Sequence, residues 1–193
     1  DLKFYNGSII PNNGIIIGAD GAGSQIRKYI DKNIKNPSKT ESLGHAYKEL
    51  NITPDKNGNF QMDSNSLHIW PRGEFMLIAL PNTDKSFTCT LFMPNKGDIS
   101  FESLQSNPDV INFFQAYFSD TLPLLENFPN SFFENPTAKL GTVYSNKWNY
   151  NNILLLGDAA HAIVPFFGQG MNASFEDCDV FIDILSKNNN QFE

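Results

Sequence analysis

The sequence predicts an α/β fold, mixed in character, in which two pieces of one ligand-binding layer are separated by a long β-rich insert. Three observations carry this. Gly14 to Arg27 and Ile153 to Asp177 each run from a short apolar stretch through a glycine-rich turn into a helical pattern. Between them the texture changes to short alternating apolar segments bounded by Pro, Gly and Asn, which is the pattern of antiparallel strands.

Taken in order, Lys3 to Ile10, broken at Asn6-Gly7, reads as a short hairpin. Gly14-Ile15-Ile16-Ile17-Gly18-Ala19-Asp20-Gly21-Ala22-Gly23-Ser24-Gln25-Ile26-Arg27 follows as strand, tight turn and helix start, and the helix fades by Asn33, ahead of Pro37. Its glycines fall as G-x-x-G-x-G and do not fit the dinucleotide fingerprint G-x-G-x-x-G. By residue type alone, Asp20 reads as a helix-capping carboxylate and Arg27 as a solvated arginine.

The organisation expected is residues 1–40 in the ligand-binding domain, 41–145 as the insert and 146–193 as the return to the first domain. Within the insert, Leu67 to Arg72, Phe75 to Leu80 and Ser86 to Met93 read as successive antiparallel strands, turning at Arg72-Gly73 and at Asn82-Thr83-Asp84. Alternation puts Met76, Ile78 and Leu80 on one face and Phe75, Leu77 and Ala79 on the other. Both faces are apolar, so one covers a core while the other lines a cavity or packs on helices. One helix is expected from about Pro108 to Phe118.

The second pattern is Leu154-Leu155-Leu156-Gly157-Asp158-Ala159-Ala160-His161-Ala162, then Pro165-Phe166-Phe167-Gly168-Gln169-Gly170-Met171-Asn172 and Glu176-Asp177. The apolar run lacks alternation, as in a strand buried on both faces. Asp158 falls at its carboxyl end, where open α/β sheets bind ligands and where a carboxylate accepts hydrogen bonds from sugar or ribityl hydroxyls. Gly168 and Gly170 remove Cβ atoms where the backbone passes close to a ligand, and the following helix begins with unpaired amides. Met171, Phe175, Cys178, Ile182 and Leu185 recur as one apolar stripe, with Glu176, Asp177, Asp179 and Asp183 largely outside it.

Composition excludes several classes. A net charge of −7 without a Lys/Arg cluster argues against nucleic acid as a partner. Cys89 and Cys178 have no metal spacing and read as reduced core thiols, and no metal site is expected. No apolar run approaches a bilayer span, so the segment is expected to be soluble. His68 and His161 lack a nucleophile or third ligand beside them and are assigned structural roles.

The block from Gly157 to Cys178 resembles, almost letter for letter, the second FAD-binding motif of the aromatic-ring flavoprotein monooxygenases, and the Asp20-Gly21 segment with Ser24 and Arg27 resembles their middle motif. Tyr47-Lys48-Glu49-Leu50, Leu67 to Arg72, Ala79 to Asn82 and Lys85 to Pro94 resemble the eukaryotic kynurenine-hydroxylating members of that family. The resemblance implies a Rossmann-like FAD-binding domain with an inserted substrate domain. It also implies an enzyme that spends NADPH and O2 to hydroxylate L-kynurenine at the 3 position through a C4a-hydroperoxyflavin, in tryptophan catabolism toward NAD. The flavin carries the chemistry, so no catalytic side chain is assigned.

Carried over by position, the cofactor residues are Asp20, Gly21, Arg27, Gly157, Asp158, Gly168, Gln169, Gly170, Met171 and Asn172. Leu67, Met76, Ile78, Leu80, Phe92, Pro165 and Phe166 form the apolar wall around the kynurenine ring. The family's N-terminal βαβ unit and its C-terminal anchor to the cytosolic face of the mitochondrial outer membrane are both missing from the sequence. This part alone is expected to be inactive. A truncated relative unable to hold FAD, and a related hydroxylase of another aromatic substrate, stand as the alternatives.

Overall fold

A computed structural model describes residues 1–11 and 14–188. They fall into two compact units, one built from the residues up to Glu41 and from Gly141 onward, the other spanning Ser42–Leu140.

The first unit opens with β1 (Leu2–Lys3) and β2 (Ile9–Ile10), an antiparallel pair turned at Asn6-Gly7. The side chain of Asn6 accepts the Ser8 N–H at 3.0 Å, and Gly7 takes φ +82°, a conformation that favours glycine. β3 (Ile16–Gly18) leads through the Asp20-Gly21 turn into α1 (Gln25–Lys32). Ser24 caps this helix by accepting the Arg27 N–H at 2.8 Å, and Asn33 ends it.

The second unit is a five-stranded sheet with helices over one face. Its strands are β4 (Lys39–Ile52), β5 (His68–Arg72), β6 (Phe75–Pro81), β7 (Phe87–Pro94) and β8 (Thr137–Tyr144), in the order β5-β6-β7-β4-β8, with the first residues of β4 and the last residues of β8 assigned to the other unit. Register pairs Ile69 with Ile78, Met76 with Phe92 and Tyr47 with Phe92. α2 (Asn107–Tyr117) starts at a capping box in which Ser106 and Asp109 satisfy each other's backbone amides. Together with α3 (Asn130–Glu134) it supplies the layer above the sheet.

Alternation in β6 divides the two faces. Phe75, Leu77 and Ala79 are buried, and the Phe75 ring meets those of Phe113, Tyr117 and Phe118 at 5.1–6.2 Å between centroids. Much of the chain's abundant phenylalanine is spent here, in an aromatic core under α2. Met76, Ile78 and Leu80 lie on the open face, where Ile69 and Leu80 are exposed while Phe92 is covered. Lys48 points into the core side and donates to the Asn135 carbonyl at 2.6 Å, and burial pulls its pKa down. His68 is structural: Nε2 lies 2.8 Å from the Asp63 carbonyl and the ring stacks on Trp70.

The chain then returns to the first unit. β9 (Asn149–Tyr150) and β10 (Ile153–Leu155) complete a three-stranded sheet in the order β3-β10-β9, with β10 parallel to β3 and antiparallel to β9. Gly18 makes this packing possible: a Cβ there would stand 2.9 Å from both Ile26 and Leu155. α4 (Asp158–His161), a short 3-10 turn at Pro165–Phe167 and α5 (Gly170–Lys187) follow.

Two expectations are corrected here. Most of the apolar stripe of α5 does not pack among the described residues: Met171, Phe175 and Ile182 are 66%, 63% and 57% exposed, and of the stripe only Leu185 is half-buried. The half-buried face is instead that of Ser174, Asp177 and Phe181, because Ser174 fits against the bare Cα of Gly157 and Asp177 bonds to the loop beneath. Cys178, expected in the core, is exposed for the same reason, whereas Cys89 is buried and its thiol is pushed up to about 12 by desolvation.

Candidate flavin site

Gly157 ends the β10 strand region with φ +58° and ψ −143°, a conformation closed to side chains that carry a Cβ. Its carbonyl accepts the N–H groups of Ala160 at 2.8 Å and His161 at 3.0 Å, which winds α4 directly onto the strand end. That turn throws Asp158 outward at the carboxyl end of a parallel strand. The carboxylate faces a cavity of about 620 Å³ lined by Ala19, Gly21, Leu156, Gly157, Pro165 and Gly168, together with Gly170, Met171 and Cys178 from α5.

Six of the cofactor candidates meet in this cavity: Gly21, Gly157, Asp158, Gly168, Gly170 and Met171. Gly168 adopts the left-handed conformation at φ +63°, which ends the 3-10 turn and aims the chain into α5. A Cβ on Gly170 would come within 3.9 Å of Asp158 Oδ1, so glycine keeps the space beside that carboxylate open. No side-chain hydrogen bond caps α5 among the described residues, and its first two residues, Gly170 and Met171, line the cavity. Gln169 and Asn172 lie at that start, with Asn172 Nδ2 donating to Gln169 Oε1 at 3.1 Å, and do not line the cavity.

Asp20 and Arg27 also stand off the cavity, in roles of their own. The Asp20 carboxylate accepts from Ser24 Oγ at 2.5 Å and from the amides of Gln25 at 2.7 Å and Ile26 at 3.3 Å, so it organises the start of α1. Desolvation opposes its charge, yet these hydrogen bonds together hold its pKa below the ordinary carboxylate value. Arg27 is 5% exposed rather than solvated. Its guanidinium donates to the Ala22 carbonyl in the first glycine-rich turn and, at 2.6 Å, to the Ala159 carbonyl in α4. One side chain thus joins the two motifs that residue type and spacing had identified separately.

Asp177 and Trp148, which the motif reading left unassigned, and His161, which it gave a structural role, shape the same region. Asp177 Oδ2 accepts the Gly157 N–H at 2.7 Å and lies 2.7 Å from His161 Nε2, and the Trp148 indole covers the His161 ring with centroids 4.8 Å apart. Asp177 follows Ser174 by one helical turn, so the spacing did hold a signal that both share a face. Nothing local marks Trp148. Among the described residues no group of three or more His, Cys, Asp or Glu could hold a metal ion.

Of the apolar wall, Met76, Ile78, Leu80 and Phe92 belong to the open face of the five-stranded sheet, and Leu67 immediately precedes β5. Pro165 lines the cavity of the first unit, with Phe166 next to it in the chain.

Comparison with known proteins gives this geometry a family. Residues 15–188 match the family described as "FAD binding domain". The chain is 50% identical over 171 residues to a kynurenine 3-monooxygenase of Cytophaga hutchinsonii, covering 89% of the chain and 38% of that relative. It is 49% identical over 181 residues to the kynurenine 3-monooxygenase of Sus scrofa, covering 92% and 38%. Relatives therefore include bacterial as well as animal proteins, and the chain spans under two fifths of their length.

Among solved structures, Klebsiella pneumoniae HpxO complexed with FAD and uric acid superposes with a TM-score of 0.66 at 16% identity, over 99% of this chain and 46% of that one. The tetrameric 2-methyl-3-hydroxypyridine-5-carboxylic acid oxygenase gives 0.67 at 21% identity, over 89% and 44%. At these identities the likeness concerns the fold alone. The glycine-lined cavity, the outward carboxylate of Asp158 and the sequence match agree: the chain belongs to the FAD-binding domain family.

Proposed function

We propose that this chain holds FAD in the Asp158 cavity and forms part of an enzyme that hydroxylates L-kynurenine at ring position 3, with NADPH as reductant and O2 as the oxygen source. The observation that carries the reading is the convergence of the outward Asp158 carboxylate, four cavity-lining glycines and the start of α5 in one cavity. These groups fit a flavin dinucleotide chemically. Asp158 accepts from ribityl or ribose hydroxyls, and the amides of Met171 and Asn172 are donors suited to a carbonyl of the isoalloxazine. When bound, the flavin supplies reductive activation of O2 and delivery of one oxygen atom to an electron-rich ring. Overall, one oxygen enters the ring, the other leaves as water, and NADPH gives up a hydride.

The work left to the protein is binding, orientation and the exclusion of water. Asp20 and Arg27 serve the cofactor through the turn and the α4 segment that they hold. Gly168 and Gln169 shape the entry to α5. In the second unit, Leu67, Met76, Ile78, Leu80 and Phe92 are assigned to the aromatic ring, a role supported by the open, apolar face of β6 and β7 and by the kynurenine 3-monooxygenase relatives; in the first unit, Pro165 and Phe166 are assigned to the same substrate. No helix among the described residues is long and apolar enough to cross a membrane. The resemblance to the eukaryotic members supports placing the complete protein on the cytosolic face of the mitochondrial outer membrane, anchored by a C-terminal segment.

Two measurements test the reading. In the complete protein, Asp158→Ala is expected to weaken FAD binding by roughly 10- to 150-fold, the worth of a charge-assisted hydrogen bond, with little change in folding because the residue is exposed. Undiminished affinity in a fluorescence titration would remove Asp158 from the site. Phe92→Ala is expected to raise the KM for kynurenine about tenfold and to release NADPH oxidation from hydroxylation. Product and NADPH counted in the same assay decide it: unchanged coupling, or equal turnover of a phenol, sinks the kynurenine assignment.

A further inference from the structure

We infer that Asp177 is a positioning residue for the flavin site, a single carboxylate that locks the Gly157 peptide and the His161 ring together and so sets the direction of Asp158. The inference deepens the FAD reading and rests on it.

Its basis is a closed ring of contacts within the first unit. Oδ2 of Asp177 accepts the Gly157 N–H and contacts His161 Nε2, each at 2.7 Å. The Gly157 carbonyl accepts the His161 N–H at 3.0 Å. Gly157 is therefore held at both ends of its peptide chemistry, N–H by α5 and C=O by α4. Asp158 is the next residue, and its side chain is the one carboxylate of the pair that faces the cavity. Glycine at 157 has no intrinsic preference that would keep φ at +58°, so the conformation must be maintained from outside.

The surroundings strengthen the lock. The side chains of His161 and Asp177 are 21% and 13% exposed, which shields their contact from water. Trp148 covers the imidazole, and Ser174 Oγ would stand 2.8 Å from a Cβ at Gly157, so the helix sits directly on the turn. Two donors converge on one oxygen, an arrangement suited to a carboxylate. Two acidic residues thus divide the labour. Asp158 meets the ligand, and Asp177 holds the backbone from which Asp158 projects.

The test is FAD titration onto the apo form of the complete protein, followed by flavin fluorescence, with the melting temperature of each apoprotein measured alongside. Asp177→Ala is expected to weaken FAD about tenfold or more, and Asp177→Asn, which keeps an acceptor oxygen for Gly157, to restore it to within about threefold of wild type. His161→Phe preserves the stack on Trp148 but removes the Nε2 contact. It is expected to lose roughly threefold to tenfold, and it decides the matter if Asp177→Ala does not fold. Wild-type affinity in either Asp177→Ala or His161→Phe overturns the inference. So does an Asp177→Asn protein as weak as Asp177→Ala, since charge rather than position would then be at work. Failure of the wild-type apoprotein to take up FAD refutes the flavin reading itself, and the inference with it.

Discussion

Gly157→Ala is expected to lower folding stability by roughly 2–5 kcal/mol and to abolish FAD binding. Two penalties add. The backbone at φ +58°, ψ −143° lies where only glycine is at ease. The new methyl would also stand 2.8 Å from Ser174 Oγ and 3.2 Å from Ser174 Cβ, inside any normal contact distance. The chain can relieve the second by moving α5 away, but that stretches the Asp177 bond to the Gly157 N–H and shifts the cavity wall. Urea unfolding of the complete protein measures the loss. Adding Ser174→Gly should recover the steric part and leave the backbone part, so a double-mutant cycle separates them. A Gly157→Ala protein as stable as wild type would show that the turn differs from the one described.

Arg27→Ala is expected to cost about 2–5 kcal/mol, because it orphans two carbonyl groups at once and leaves a hole where the side chain lay. The carbonyls are those of Ala22 and Ala159, one from each glycine-rich segment. Loss of the bridge frees α4 from α1, so FAD affinity should fall together with stability. Arg27→Lys keeps the charge and can satisfy one carbonyl, and should recover part of both. A variant in which stability falls while FAD affinity stays at the wild-type value would show that the two motifs do not need this bridge for the cofactor.

Both variants act on contacts that join residues distant in the chain, and this marks the limit of what local pattern could reveal. The order strand, glycine-rich turn, helix was legible at Gly14 to Arg27 and again from Ile153, because each short strand is an unbroken apolar run that stops at glycine, although Ile17 is 46% exposed and Leu154 half-buried. Period-two alternation correctly separated Phe75, Leu77 and Ala79 from Met76, Ile78 and Leu80. The end of α1 at Asn33 followed from the pattern, whereas its N-cap is Ser24, with Asp20 accepting from Ser24 Oγ and the next two amides. The long strand β4 was legible only as a β-rich texture, since its early half is polar and exposed and carries little alternation.

The α5 stripe shows why the rest was hidden. Spacing reports which apolar side chains share a helix face, but not which face the fold covers. The packed side here was chosen by fit and by direction: Ser174 enters the space that Gly157 leaves empty, and Asp177 meets an amide and an imidazole that only the folded turn presents. Residue type likewise assigned Arg27 to solvent, although its partner lies 132 positions away in sequence.

The sequence by itself determined the strand and helix order, the division of β6 into a core face and an open face, and the placement of Asp158 at the end of a buried strand. Each of these follows from forces that act between near neighbours or between a side chain and water. Tertiary structure decided which side of α5 is buried, that Arg27 is a bridge between the two motifs, and that Asp177 is tied to Gly157 and His161. Those depend on hydrogen bonds and shape complementarity between segments that meet only once the chain has folded.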